Sequence, residues 1–126
     1  MPRNLWGDLT TLEKVRTPKS ILQEQASYLT QATEGVLVGS LDDARLSGRG
    51  SFTYDLEVEV PALNGYTFTL LRINHSVELY PVQVTSTSAK VDVTCPDEPT
   101  FESTIASILS SAEIKKVLSR LLSQAG

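Results

Sequence analysis

Residues 52–60, Phe-Thr-Tyr-Asp-Leu-Glu-Val-Glu-Val, alternate apolar and polar side chains without a break. Side chains on a strand point to opposite faces in turn, so this segment reads as a strand with one buried and one wet face. Asn64-Gly65 follows, the favoured pair for a two-residue type I′ hairpin turn. That turn would set Leu56 opposite Ile73, Val58 opposite Leu71 and Val60 opposite Thr69 on the apolar side. On the polar side it would set Glu57 opposite Arg72, a cross-strand pair of opposite charge. A slip of one residue would lose that pair and turn the valines to the wrong face.

The rest of the chain is organised around this hairpin. Upstream, Thr17 is a good N-cap and Pro18 suits the first helical position. Leu22, Ala26, Leu29 and Thr33 then share one face, and Gly35 fits a left-handed C-cap, which predicts an amphipathic helix over about 18–33. A first strand is expected over Val36–Leu41, resuming through Leu46, with a bulge or bend at Asp42-Asp43. Ser47–Ser51 reads as a loop. After the hairpin, a turn is expected at Asn74-His75-Ser76, a fourth strand over Val77–Thr85 and a fifth over Ala89–Cys95. Pro81 marks the fourth as an edge or bulged strand.

Past Pro99 the chain reads as two helical segments, about 100–109 and 111–123. Their apolar stripes, Phe101/Ile105/Ile108/Ala112 and Ile114/Val117/Leu118/Leu121/Leu122, point nearly opposite ways. Ser110 and Glu113 have the spacing of a capping box between them. Residues 1–16 read as an irregular arm whose Trp6 should dock on the core. The expected architecture is therefore α+β. An antiparallel meander of about five strands carries one N-terminal helix and two C-terminal helical segments, all in a single domain over 1–126. This order of helix, meander and helix looks like that of many small bacterial binding proteins, including immunity proteins and secretion chaperones. The likeness is one of architecture alone.

Charge and composition narrow the chemistry. The formal net charge is −4, which argues against phosphate backbones as partners, so no nucleic acid is expected. Apolar runs fall far short of the roughly 20 residues of a membrane helix, and no secretory signal is visible, so no membrane partner and a cytoplasmic location are expected. The single histidine, His75, reads as an exposed turn residue, and the single cysteine, Cys95, as a small core residue. One of each is a poor basis for a zinc site or a nucleophile–base pair. Gly48-x-Gly50 lacks the Lys-Ser/Thr of a phosphate loop. No catalytic, cofactor-binding or metal residues are expected, and the chain is read as not an enzyme.

What remains is surface. Asp55, Glu57 and Glu59 form a straight row with neighbours about 6.8 Å apart, which suits a solvated or partner-binding face better than a metal cage. Phe68 and Tyr80, with Leu70, Val82 and Val84, are expected on the same sheet face, making it half acidic and half apolar. The leading expectation is a module that binds another protein stoichiometrically, in the manner of an inhibitor, immunity protein or chaperone. Its contact residues would be Asp55, Glu57, Glu59, Arg72, Phe68, Tyr80, Val117 and Leu121, its partner basic, and the C-terminal helix a surface for a second copy. The alternative is a small-ligand binder with a pocket between sheet and helix near Phe68 and Tyr80.

Overall fold

A computed structural model describes residues 3, 5–12, 16–46 and 50–125. Its described elements run α1 (Pro18–Ala32), β1 (Val38–Leu46), β2 (Ser51–Val60), β3 (Tyr66–Ser76), β4 (Val82–Ser86), β5 (Val91–Cys95), α2 (Glu98–Leu109) and α3 (Ala112–Ala125). The strands form one antiparallel sheet in the order β1-β2-β3-β4-β5, so the fold is the α+β meander expected. The phosphate-loop comparison at Gly48 lies outside the described residues.

Helix α1 starts where Thr17 Oγ1 accepts a hydrogen bond from the Ser20 amide at 3.1 Å, with Pro18 in its first turn. It ends as Gly35 turns left-handed, at φ +83°, and its amide donates back to the Thr30 carbonyl at 2.9 Å. The bulge expected near Asp42 is present, as a register shift between Asp42 and Arg45. The break between the last two helices is also present, but Ser111 caps α3 rather than Ser110. The Ser111 hydroxyl accepts from the Ile114 amide at 3.3 Å.

The hairpin differs from the sequence reading. Pro61 has no amide hydrogen to donate to the ladder, and Pro61–Leu63 instead coil into a 3-10 turn that closes through left-handed Asn64 and Gly65. Strand pairing resumes at Val60–Tyr66 and runs through Val58–Phe68 and Glu57–Thr69. The register then shifts, and the second half pairs Leu56 with Leu71, Asp55 with Arg72, Tyr54 with Ile73 and Phe52 with His75. Leu70 is the extra residue of this bulge. It lets two consecutive leucines, Leu70 and Leu71, both be buried and switches which residues of β3 face the core. The bulge's displaced carbonyl is satisfied from outside the strand, by the Ser86 hydroxyl at 2.8 Å.

Two further expectations are corrected. Asn74-His75-Ser76 is not a turn: β3 runs on through Ser76, and the turn falls at Val77-Glu78. The fourth strand accordingly begins after Pro81, at Val82. Trp6 does not dock on the core; it is 80% exposed, in an arm where Leu5, Leu9 and Leu12 are exposed as well.

One core holds the layers together. Leu56, Val58, Val60, Leu71, Ile73, Val82, Val84 and Cys95 from the sheet pack with residues of all three helices, among them Leu22, Phe101, Ile108 and Ile114. Helix α1 lies so close to β1 that only a glycine fits at position 39, beneath Ala26. The Gly39 amide donates to Thr30 Oγ1 at 2.9 Å across this contact. Helix α3 folds back on the same core, with Ile114 and Leu121 buried and Val117 and Leu118 half-buried. The stripe expected to serve a second copy is thus used within the fold. No helix among the described residues is long and apolar enough to cross a membrane.

Candidate functional site

Since the helices share one core with one sheet face, the other face is left with no helix over it among the described residues. Its side chains follow from the register. Asp42 pairs with Asp55, Asp55 with Arg72, Arg72 with Thr85, and Thr85 with Asp92. Beside this row lie Ser40–Glu57–Thr69 and Val38–Glu59–Thr67 on one side, and Thr53–Asn74–Gln83–Thr94 on the other. The face is almost wholly polar. The apolar half expected from Phe68, Tyr80, Val82 and Val84 is not on it. The bulge places Phe68 opposite Val58, on the helix side, and Val82 and Val84 pair with His75 and Ile73 there too. Tyr80 lies half-buried, edge-on to Phe101 at 6.3 Å between ring centres.

Asp55, Glu57 and Arg72 do come together, but the salt bridge is not the one expected from an Asn-Gly turn. Arg72 reaches Asp55, not Glu57: Nε donates to Oδ1 at 2.7 Å and a terminal nitrogen to Oδ2 at 3.1 Å. The pair is lopsided, because Asp55 is only 7% exposed while the Arg72 side chain is 54% exposed. Hydrogen bonding to Asp55, followed by its negative charge, holds the Arg72 guanidinium above its ordinary pKa. Glu59 lies further along β2 and is exposed.

Asp42 is a member of the cluster that sequence reasoning assigned only to a bulge. It faces Asp55 directly, and like charges directly opposite on a sheet are destabilising. One carboxylate oxygen from each of Asp42, Asp55 and Glu57 lies within 4.8 Å of the others. The donor set does not make a good metal cage. Both Asp55 oxygens already accept from Arg72, and a calcium ion seeks six to eight oxygen ligands. Among the described side chains, the face carries five carboxylates (Asp42, Asp55, Glu57, Glu59, Asp92) and one guanidinium (Arg72).

His75 and Cys95 do not form a catalytic pair. They lie two strands apart in the row His75–Val82–Cys95, a separation of about 9.5 Å from the usual strand spacing. Cys95 is buried beside Thr104. His75 is not the exposed turn residue expected; it is 6% exposed, on the core side of β3. Its cross-strand neighbour Phe52 was visible in the alternation of β2, but the assumed turn at residues 74–76 hid the pairing.

Compared with family models, with curated proteins and with solved structures, the chain matches none.

Proposed function

We propose that this chain is a stoichiometric protein-binding module, and that the open face of its sheet receives a basic partner. The observation that supports the reading is the segregation of charge. A polar sheet face needs no more than solvation, yet this one sets Asp42 against Asp55 and carries five carboxylates among its described side chains. Such a field attracts lysine- and arginine-rich protein surfaces, speeds their association and repels nucleic-acid backbones. The module acts by occupancy rather than turnover.

The experiment is affinity capture on the immobilised chain, beside an Asp42→Ser/Glu57→Ser/Glu59→Ser variant. Asp55 is left in place because it anchors Arg72. Rim charges contribute about 0.2–1 kcal/mol each, so the variant should bind the captured protein some threefold to a hundredfold more weakly. The wild-type affinity should fall with salt more steeply than the variant's. Equal affinity and equal salt dependence in the two proteins would remove this face from consideration.

A further inference from the structure

We propose that the outer edge of β5 pairs with the same edge of a second copy of this chain, joining two five-stranded sheets into one continuous sheet about a two-fold axis at Val93. β5 stands at the end of the sheet, and among the described residues no strand pairs with its outer side. The sheet's other end is blunted by the bulge between Asp42 and Arg45 in β1. β5 has neither a bulge nor a proline: Val91–Cys95 pair with β4 without a register shift.

The core side of this edge is left unfinished. Val84 pairs with Val93 and Val82 with Cys95, so these four share the helix side of the sheet. Val82, Val84 and Cys95 are fully buried, whereas Val93 is 41% exposed. The apolar layer therefore reaches the edge without a cover there. Helix α2 leaves room for one. Between it and β5 lies a groove of about 410 Å³, bordered by Val91 and Val93 on the strand and by the short side chains of Thr100, Ser103 and Ser107 on the helix. A strand added at the usual spacing of about 4.8 Å would set its own apolar side chains along this groove.

The occupant follows from the sequence of β5, which complements itself in one register. Only alternate residues of a strand direct their N–H and C=O groups to a given side, so identical antiparallel strands must pair about a residue rather than between two. Centring on Asp92 would set that carboxylate against its own copy, and like charges directly opposite are destabilising. Centring on Thr94 would bring Pro96, which has no N–H, into the ladder. Centring on Val93 pairs the whole strand, Val93 with Val93, Asp92 with Thr94 and Val91 with Cys95. The two Asp92 residues then lie about 8 Å apart, near the screening length of physiological salt. Each is also held on its own sheet, where Gln83 Nε2 donates to its Oδ1 at 3.1 Å. Past each end of the ladder, Lys90 of one copy comes level, to within one residue, with Asp97 of the other, so the flanking charges attract. The pairing puts the helices of both copies on one side and leaves both acidic faces open, so it does not depend on the basic partner proposed above.

Light scattering on the full chain over a range of concentrations tests this. A single short ladder makes a small interface, so the expected dimer is weak: the mass should rise from 13.7 kDa toward twice that value as the concentration approaches about 1 mM. Val93→Lys sets two ammonium groups against each other at the axis, on a side chain that is already exposed. It should hold the mass at 13.7 kDa with an unchanged circular dichroism spectrum. Val93→Cys should form an intermolecular disulfide on air oxidation, because the Cα atoms of a directly opposed pair lie about 4.5–5.5 Å apart. Thr94→Cys should not, since its Cα atoms would be about 8 Å apart, beyond the roughly 7 Å limit. The cysteine variants read the register independently of whether Val93→Lys folds. A chain that stays monomeric up to about 1 mM, a dimer that persists in folded Val93→Lys, or equal cross-linking at positions 93 and 94 would each overturn the proposal. The first of these would leave the edge to an extended segment of another protein.

Discussion

Replacing Gly39 with alanine tests how the helix layer is seated. A Cβ at this position would lie 2.4 Å from the Ala26 carbonyl oxygen, 2.6 Å from its Cα and 2.8 Å from its carbonyl carbon. A close carbon–oxygen contact is about 3.3 Å, so the shortfall is about 1 Å, and it is against backbone, which no rotamer change can relieve. Helix α1 must therefore retreat by about that distance. The retreat opens the contacts of Ile21, Leu22 and Ala26 and stretches the 2.9 Å bond from the Gly39 amide to Thr30 past a useful length. Overpacking of this kind costs about 1–3 kcal/mol and the lost hydrogen bond about 1, while the alanine recovers roughly 0.5–1 through reduced freedom of the unfolded chain. The net is a loss of about 1–3.5 kcal/mol, equivalent to a fall in melting temperature of roughly 4–13 °C for a chain of this length. Urea unfolding followed by circular dichroism measures it. Gly35→Ala is the control, since a Cβ there meets nothing within 4 Å and only the φ of +83° is strained; it should cost about 1 kcal/mol. A Gly39→Ala protein within about 0.5 kcal/mol of wild type would refute the close seating of α1 on β1.

Burial, with the Glu98 and Glu102 carboxylates adding to it, pushes the Tyr80 phenol up to about 12. A raised value means the folded state favours the protonated phenol, so this contribution is intact below pH ~10 and is lost as pH rises from there through about 12. Tyr80→Phe also removes a buried hydroxyl without a hydrogen-bonding partner, so at neutral pH it should be as stable as wild type or more so. Urea titrations at pH 9 and pH 11.5 should show wild type losing more stability than the variant; equal losses would contradict the assignment. Asp55→Asn should cost about 1–2 kcal/mol by weakening the bidentate pair with Arg72, whereas Glu59→Gln, on an exposed side chain, should stay within about 0.5 kcal/mol. Equal effects of the two would mean that the acidic row is uniform after all, and unfolding by denaturant decides it.

Local signals with a direct physical cause could be read from the chain. Thr17-Pro18 and Gly35 bracket α1 closely, and the alternation over residues 52–60 identifies β2 and its polar side. What could not be read were events that depend on a partner strand. Pro61 is compatible with a two-residue turn only if the strand has already ended, and the Leu70 bulge becomes visible only when Ser86 is seen to take its carbonyl. Together they moved Arg72 from Glu57 to Asp55 and Phe68 to the helix side. His75 was misread for a related reason. Asn and Ser on either side look like a turn, but a strand pairing with Phe52 on one side and Val82 on the other outweighs that local preference. Gly39 carried no signal of its own, since its role is set by Ala26 on another element.

The most direct test of the binding face is a backbone NMR map of the ¹⁵N-labelled chain titrated with the protein recovered by capture. The account predicts that shifts and broadening concentrate on the open face, at Asp42, Asp55, Glu57, Glu59, Asn74 and Gln83, while α1, α2 and α3 remain quiet. Perturbations centred on the helices, with those strand residues unmoved, would contradict it.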